Sequence, residues 1–170
     1  MMETGWRSTP VPRHNLRMKL RSVLFVCIGN ACRSQMAEGF ARHYGKDDID
    51  VSSAGLMPMS TVPLLTRRVM LEKNIPIDTQ YPKGVELFRQ RPFDAIINMS
   101  GSALPGGMVG PVDEWVVTDP YGRGEGEYRQ VRDDLEDRVM RLLIQMRRRP
   151  AVQEEAQPEP RPGRVKLRGV

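Results

Sequence analysis

Five residues separate Cys27 from Arg33, and Ser34 follows directly, in the stretch Cys27-Ile28-Gly29-Asn30-Ala31-Cys32-Arg33-Ser34. Five intervening residues let a backbone curl into a cradle whose N–H groups point at one centre. Gly29 and Asn30 are residue types that tolerate the positive φ such a curl needs. Arg33 supplies a planar fork that can hold two oxygens of a tetrahedral anion at once, which lysine cannot do. A helix starting just past the cradle adds the partial positive charge of its N-terminus. The same field favours thiolate over thiol at Cys27, and the Ser34 hydroxyl can donate to that sulfur. Ile28, Gly29, Asn30, Ala31, Cys32, Arg33 and Ser34 are therefore the expected oxyanion-binding set. The alternative, a buried strand-end cysteine beside an unrelated arginine, would make five separate residue choices coincidental. No Gly-Lys-Ser/Thr follows the glycine, so the loop is not a nucleotide P-loop; four residues between the sulfurs exclude a redox Cys-x-x-Cys.

Such a loop must be held by a strand before it and a helix after it, and the sequence provides both. Ser22–Cys27 reads as a buried strand, β-branched and aromatic without polar alternation. Met36, Ala37, Phe40, Ala41 and Tyr44 follow at helical spacing, stopped by Gly45 in the C-cap position. Ile49–Ser53 is a second strand. A helix with Pro63 in its first turn then buries Leu65, Val69 and Met70. Phe93–Met99 is a third strand and Glu114–Val117 a fourth. The last helix carries Tyr128, Val131, Leu135, Val139, Leu142, Leu143 and Met146 in one stripe. This alternation predicts an α/β fold, a four-stranded parallel sheet with helices on both faces. In such sheets the ligand lies beyond the carboxyl ends of the strands, where the cysteine loop falls.

At 170 residues and 19.3 kDa the chain is long enough for one domain. No apolar run approaches the roughly 20 residues that span a bilayer, and no secretory signal is visible. Two cysteines cannot form a disulfide framework, and with only His14 and His43 they are too few for a zinc site. No metal and no cofactor is expected. The net charge of +5 invites a polyanionic partner. It resides at the ends, however: Arg7, Arg13, Arg17, Lys19 and Arg21 stand against Glu3, whereas residues 23–149 are neutral overall. Such an arm is thinner than the basic clusters expected for nucleic acid, so neither nucleic acid nor membrane is an expected partner. The expected organisation is a flexible basic N-terminal tail (1–21), a catalytic domain (22–149) and a flexible Pro-rich C-terminal tail (150–170). The expected location is cytoplasmic, and His43 is expected to be solvated.

The stretch V-L-F-V-C-I-G-N-A-C-R-S-Q-M-A-E-G-F, Val23 to Phe40, resembles the low-molecular-weight protein tyrosine phosphatases and the arsenate reductases that share their fold. Val51-Ser52-Ser53-Ala54-Gly55 and Thr118-Asp119-Pro120-Tyr121-Gly122 extend the resemblance to residues 22–148. It implies a low-molecular-weight phosphatase-like fold in which Cys27 is the nucleophile and forms a phosphocysteine. Arg33 would then bind the phosphoryl oxygens, and Asp119 would act as general acid. Asn30 and Ser34 match loop-ordering positions, Ser53 a supporting one, and Tyr121 the aromatic wall of the phosphotyrosine pocket. Gly122 stands where the phosphatases often carry a second aromatic, and Tyr81 is the candidate replacement for a histidine that buttresses the loop.

Thiol count separates the two reactions the resemblance allows. Thioredoxin-linked arsenate reductases pass the oxidation to two further cysteines near the third strand, where this chain reads Asn98-Met99-Ser100-Gly101-Ser102. On that ground the expected activity is a phosphatase acting on a phosphotyrosine protein or a small phosphoester. The alternatives are an arsenate reductase supplied by an external thiol reductant, and a non-enzymatic phosphate-binding module. Cys32 is either a thiol that guards or resolves Cys27 or a small loop-packing residue.

Overall fold

A computed structural model describes residues 21–148. The two expected tails lie outside the described residues, except for Arg21, which opens the first strand. The elements are β1 (Arg21–Cys27), α1 (Arg33–Gly45), β2 (Ile49–Gly55), α2 (Leu64–Leu71), β3 (Ala95–Asn98), β4 (Val112–Glu114) and α3 (Glu125–Arg148), with 3-10 turns at Lys46–Asp48 and Val85–Phe88. All strand pairs are parallel, in the order β2-β1-β3-β4. This is the expected four-stranded α/β sheet. It places β1, and the loop it carries, between two neighbours.

The burial of β1 explains its sequence. Val23, Leu24, Phe25 and Val26 are all at 0% exposure, so a strand covered on both faces needs an unbroken apolar run. The period of two sorts these residues. Val23, Phe25 and Cys27 face one core with Met36, Phe40, Val69, Leu135 and Val139 from the three α-helices. Leu24 and Val26 face the other side with Ala54, Ile96, Val85, Phe88 and Phe93. Among the described residues helical structure thus covers both faces unequally: α1, α2 and α3 on one, and the short Val85–Phe88 turn with adjoining loops on the other.

Three local expectations shift. α1 ends at Gly45, but the left-handed residue that breaks it is Lys46, at φ +47, whose N–H donates to the Arg42 carbonyl. The fourth strand is Val112–Glu114 rather than Glu114–Val117. All three of its residues are exposed at the sheet edge, so no apolar pattern marks it. Val117 is buried, but in the loop beyond. α3 buries all seven residues of its expected stripe and Arg132 as well, which donates to the Val69 carbonyl at 2.9 Å and pairs with Glu72 at 2.7 Å. Among the described residues no helix is long and apolar enough to cross a membrane, and no three His, Cys, Asp or Glu side chains are grouped to hold a metal.

Candidate active site

The turn between β1 and α1 brings residues 27–34 to the carboxyl end of the central strand. Only Asn30 adopts the left-handed conformation there, at φ +44. Gly29 has no positive φ; a Cβ on it would come 3.1 Å from the Met59 side chain, which would have to shift by a few tenths of an ångström. Asn30 holds its strained backbone with every polar atom of its side chain. Its Nδ2 donates to Ser34 Oγ and to Ser53 Oγ, both at 2.8 Å. Its Oδ1 accepts the Lys83 backbone N–H at 2.7 Å and Gln35 Nε2 at 3.1 Å.

The end of β2 presses on the same turn. A Cβ on Gly55 would lie 2.7 Å from both the Asn30 nitrogen and the Ile28 oxygen, which are backbone atoms that cannot rotate away. Gly55→Ala is therefore expected to cost about 1–3 kcal/mol of stability and, by displacing the loop, on the order of 100-fold in kcat/KM. Thermal denaturation with and without phosphate checks it: the variant should lose most of the melting-temperature gain that phosphate gives the parent chain.

Cys27 is 2% exposed, with its Sγ 3.0 Å from Ser34 Oγ. Because Asn30 already donates to that oxygen, the single Ser34 proton is free for the sulfur. α1 starts at Arg33 with no side-chain cap on its first N–H groups, which leaves them for an anion. Arg33 is 5% exposed. Its Nη1 donates to the carbonyls of Met99 (2.8 Å) and Val117 (3.2 Å), and its Nη2 pairs with Asp119 Oδ2. Its Nε is buried without a partner. A buried unpaired donor is costly unless a ligand completes it, and an oxyanion in the loop would do so. Asp119 is anchored in turn by the Tyr121 N–H, 3.1 Å from Oδ1. An incoming oxyanion competes with Asp119 for the guanidinium.

These groups line a cleft of about 150 Å³. Cys27 and Arg33 are buried within it, while Ile28, Met57, Met59 and Tyr121 form an apolar rim, Met57 and Tyr121 well exposed. Gly122 has φ +75 in a turn closed by the Arg123 N–H on the Pro120 carbonyl, so the position needs glycine for its backbone. Cys32 is buried beneath the loop, where Thr66 Oγ1 donates to its Sγ at 3.5 Å and Tyr128 Oη lies 3.6 Å away. Burial pushes the Cys32 thiol up, only partly offset by those hydroxyls.

Cys27, Arg33, Asp119, Ser34 and Asn30 are thus brought together, and Ser53 joins them from β2. Tyr81 is not: the residue is 65% exposed, its carbonyl accepts Gln35 Nε2 at 3.0 Å, and its ring meets the Lys83 ammonium rather than the loop. The backbone N–H of Lys83 takes the buttressing position instead. Sequence reasoning also missed Glu38, which is 2% exposed and linked to Ser53 and Lys83. No sequence signal marks it, because a glutamate on a helix ordinarily faces solvent.

A model of the family described as low molecular weight phosphotyrosine protein phosphatase matches residues 22–105. A glutaredoxin arsenate reductase of Synechocystis is 34% identical over 131 residues, which cover 75% of this chain and 99% of the relative. A solved arsenate reductase in a phosphate-binding state matches with TM-score 0.69 and 35% identity, over 74% of this chain and 98% of its own. An arginine phosphatase from Geobacillus stearothermophilus shares the fold with TM-score 0.65 at 22% identity, over 75% of this chain and 93% of its own.

Proposed function

The chain belongs to the low-molecular-weight phosphotyrosine protein phosphatase family, and within it we propose that the protein is an arsenate reductase whose second thiol comes from outside the chain. The observation that carries this reading is the 34% identity with an arsenate reductase along nearly the whole of that relative. The likeness to the arginine phosphatase, at 22%, speaks for the fold alone. The sequence by itself ordered the two activities the other way, because the chain lacks cysteines near β3. That absence constrains where the reducing thiol comes from rather than which oxyanion is bound. A phosphotyrosine protein is disfavoured as substrate, since Gly122 leaves Tyr121 without a second aromatic to enclose a phenyl ring.

The proposed chemistry follows from the residues in the cleft. Arsenate is a tetrahedral oxyanion that suits the loop and the free Nε of Arg33. The Cys27 thiolate attacks arsenic, and one arsenate oxygen departs as water with a proton delivered by Asp119. Arsenic remains pentavalent in that thioester-like adduct. A second thiolate then attacks Cys27 Sγ: a sulfur–sulfur bond forms, the sulfur–arsenic bond breaks, and its electron pair leaves with arsenic as trivalent arsenite. The two sulfurs supply both electrons and end as a disulfide, which another thiol must reduce. Cys32 is the chain's only other cysteine, and burial holds it as a thiol, a poor attacking species. An external thiol is the proposed attacker, with glutathione plus glutaredoxin the first system to try because the relative is named for glutaredoxin.

The test is arsenite formation measured with glutathione plus glutaredoxin, with thioredoxin and with mycothiol, beside p-nitrophenyl phosphate hydrolysis in the same preparation. Arsenite production with one external system, kept within about threefold in Cys32→Ser, supports the proposal. Aryl phosphate hydrolysis with no arsenite from any thiol would replace it by the phosphatase reading. Loss of reduction in Cys32→Ser would make Cys32 the internal thiol.

A further inference from the structure

We propose that Lys83 and Glu38 are positioning residues for Cys27, acting through a directed chain of hydrogen bonds that makes Ser34 donate to its sulfur. The inference rests on Cys27 being the reacting thiol, whichever oxyanion it attacks.

The chain starts at a buried charge. The Glu38 carboxylate accepts from Arg42 Nε on Oε1 at 2.8 Å, and on Oε2 from Ser53 Oγ and from Lys83 Nζ, the latter at 3.3 Å. Lys83 is held for this contact. Its side chain is 13% exposed, its Nζ donates to the Tyr81 carbonyl at 3.0 Å, and it lies 4.9 Å from the centre of the Tyr81 ring. Arg42 is half-exposed, so Lys83 is the shielded cation paired with the Glu38 carboxylate.

Donor counting then fixes the directions for a Glu38 carboxylate at one end and a Cys27 thiolate at the other. An ionised carboxylate only accepts, so the one Ser53 proton is committed to Glu38 and its lone pairs face Asn30. Asn30 Nδ2 spends its two protons on Ser53 and Ser34. Ser34 has one proton left, and Cys27 Sγ is its neighbour at 3.0 Å. Lys83 acts at both ends of the amide, because its backbone N–H on Asn30 Oδ1 opposes a flip of that group. If Glu38 loses its charge or becomes a donor, the Ser53 proton is released towards Asn30. The amide then has reason to turn its oxygen to the serines, and the Ser34 proton follows that oxygen away from sulfur.

Other ionisable groups face the two ends of the chain. Arg42 and His43 from α1 and Tyr81 from the 79–83 segment share the cleft of about 570 Å³ that Glu38 and Lys83 line. Arg33, Cys32 and Asp119 surround Cys27, with Tyr121 at the rim. A through-space field and the bonded chain therefore predict opposite signs for one substitution. Removing the negative charge of Glu38 would, by field alone, make Cys27 easier to deprotonate; losing the Ser34 donor makes it harder.

The experiment is the pH dependence of iodoacetamide alkylation of the full chain, followed at the Cys27 peptide by mass spectrometry so that Cys32 does not contribute. Glu38→Gln is expected to raise the midpoint by about one pH unit, so alkylation is about tenfold slower below both midpoints. Lys83→Met should act in the same direction, and Lys83→Arg should restore the parent midpoint. Should Glu38→Gln not fold, Ser53→Ala breaks the same chain with a smaller change and is expected to raise the midpoint too. An unchanged or lowered midpoint in a folded Glu38→Gln, or in Ser53→Ala where that variant stands in, overturns the proposal. So does a Lys83→Met chain that melts earlier but keeps the parent profile.

Discussion

With Cys27 as the proposed nucleophile of an arsenate reductase, Cys27→Ser is expected to bring arsenite formation to the limit of detection, a loss of at least about 10⁴-fold, of the size seen when a nucleophile is removed from an intact site. Serine fits the space, and the remaining loop geometry does not depend on the sulfur: Asn30 is held by Ser34, Ser53, Lys83 and Gln35. Arg33 is held by two carbonyls and Asp119. The hydroxyl is a far weaker nucleophile at neutral pH, and an oxygen cannot form the disulfide that carries off two electrons. Phosphate titrated calorimetrically into the variant should bind within about threefold of the parent. Retention of more than about 1% of the parent rate would show that another thiol begins the reaction. Lost phosphate binding would show that the sulfur shapes the cradle.

Arg33→Lys should be nearly as damaging, about 10²–10³-fold in kcat/KM, although charge and length are roughly preserved. The guanidinium serves three directions from one plane: the Met99 and Val117 carbonyls, the Asp119 carboxylate, and the open edge at Nε. An ammonium has three donors and no fork, so it cannot satisfy two buried carbonyls and also grip two oxyanion oxygens. The loss should fall on both oxyanion affinity and turnover. A variant with normal phosphate affinity and reduced kcat alone would contradict the bidentate role. Melting temperature should fall as well, since at least one buried acceptor is left unpaired.

Residues adjacent in sequence make most of this site legible from the sequence alone. The candidate nucleophile, the cradle and the arginine occupy eight consecutive positions, and β1 announces itself because burial on both strand faces forces an unbroken apolar run. The stripe of α3 was readable for a similar reason. β4 was placed too late in the chain: its three residues are exposed, while Val116 and Val117 supply a strand-like signal from a loop. The support behind the loop was invisible because it is non-local. Lys83 reaches Asn30 across 53 positions and Glu38 across 45, and neither residue type announces burial. Tyr81 is an aromatic near the right place, yet the group that buttresses Asn30 is the Lys83 N–H two residues on. The preference for a phosphatase over an arsenate reductase is the less well supported order, for a different reason. It took a missing pair of thiols as evidence about the reaction, when the reducing sulfur can arrive on another molecule.

The position of β1 also sets how the protein can be inactivated. Fraying begins at termini, loops and edges, whereas a fully covered central strand opens only when the whole domain does. Val23 to Val26 should accordingly be among the slowest amides to exchange with deuterium. The sulfur at the end of that strand shares this protection from behind. Peroxide, heavy metals and alkylating agents must all approach through the cleft ringed by Met57 and Tyr121, so a bound oxyanion would shield the thiol from each of them by the same occupancy.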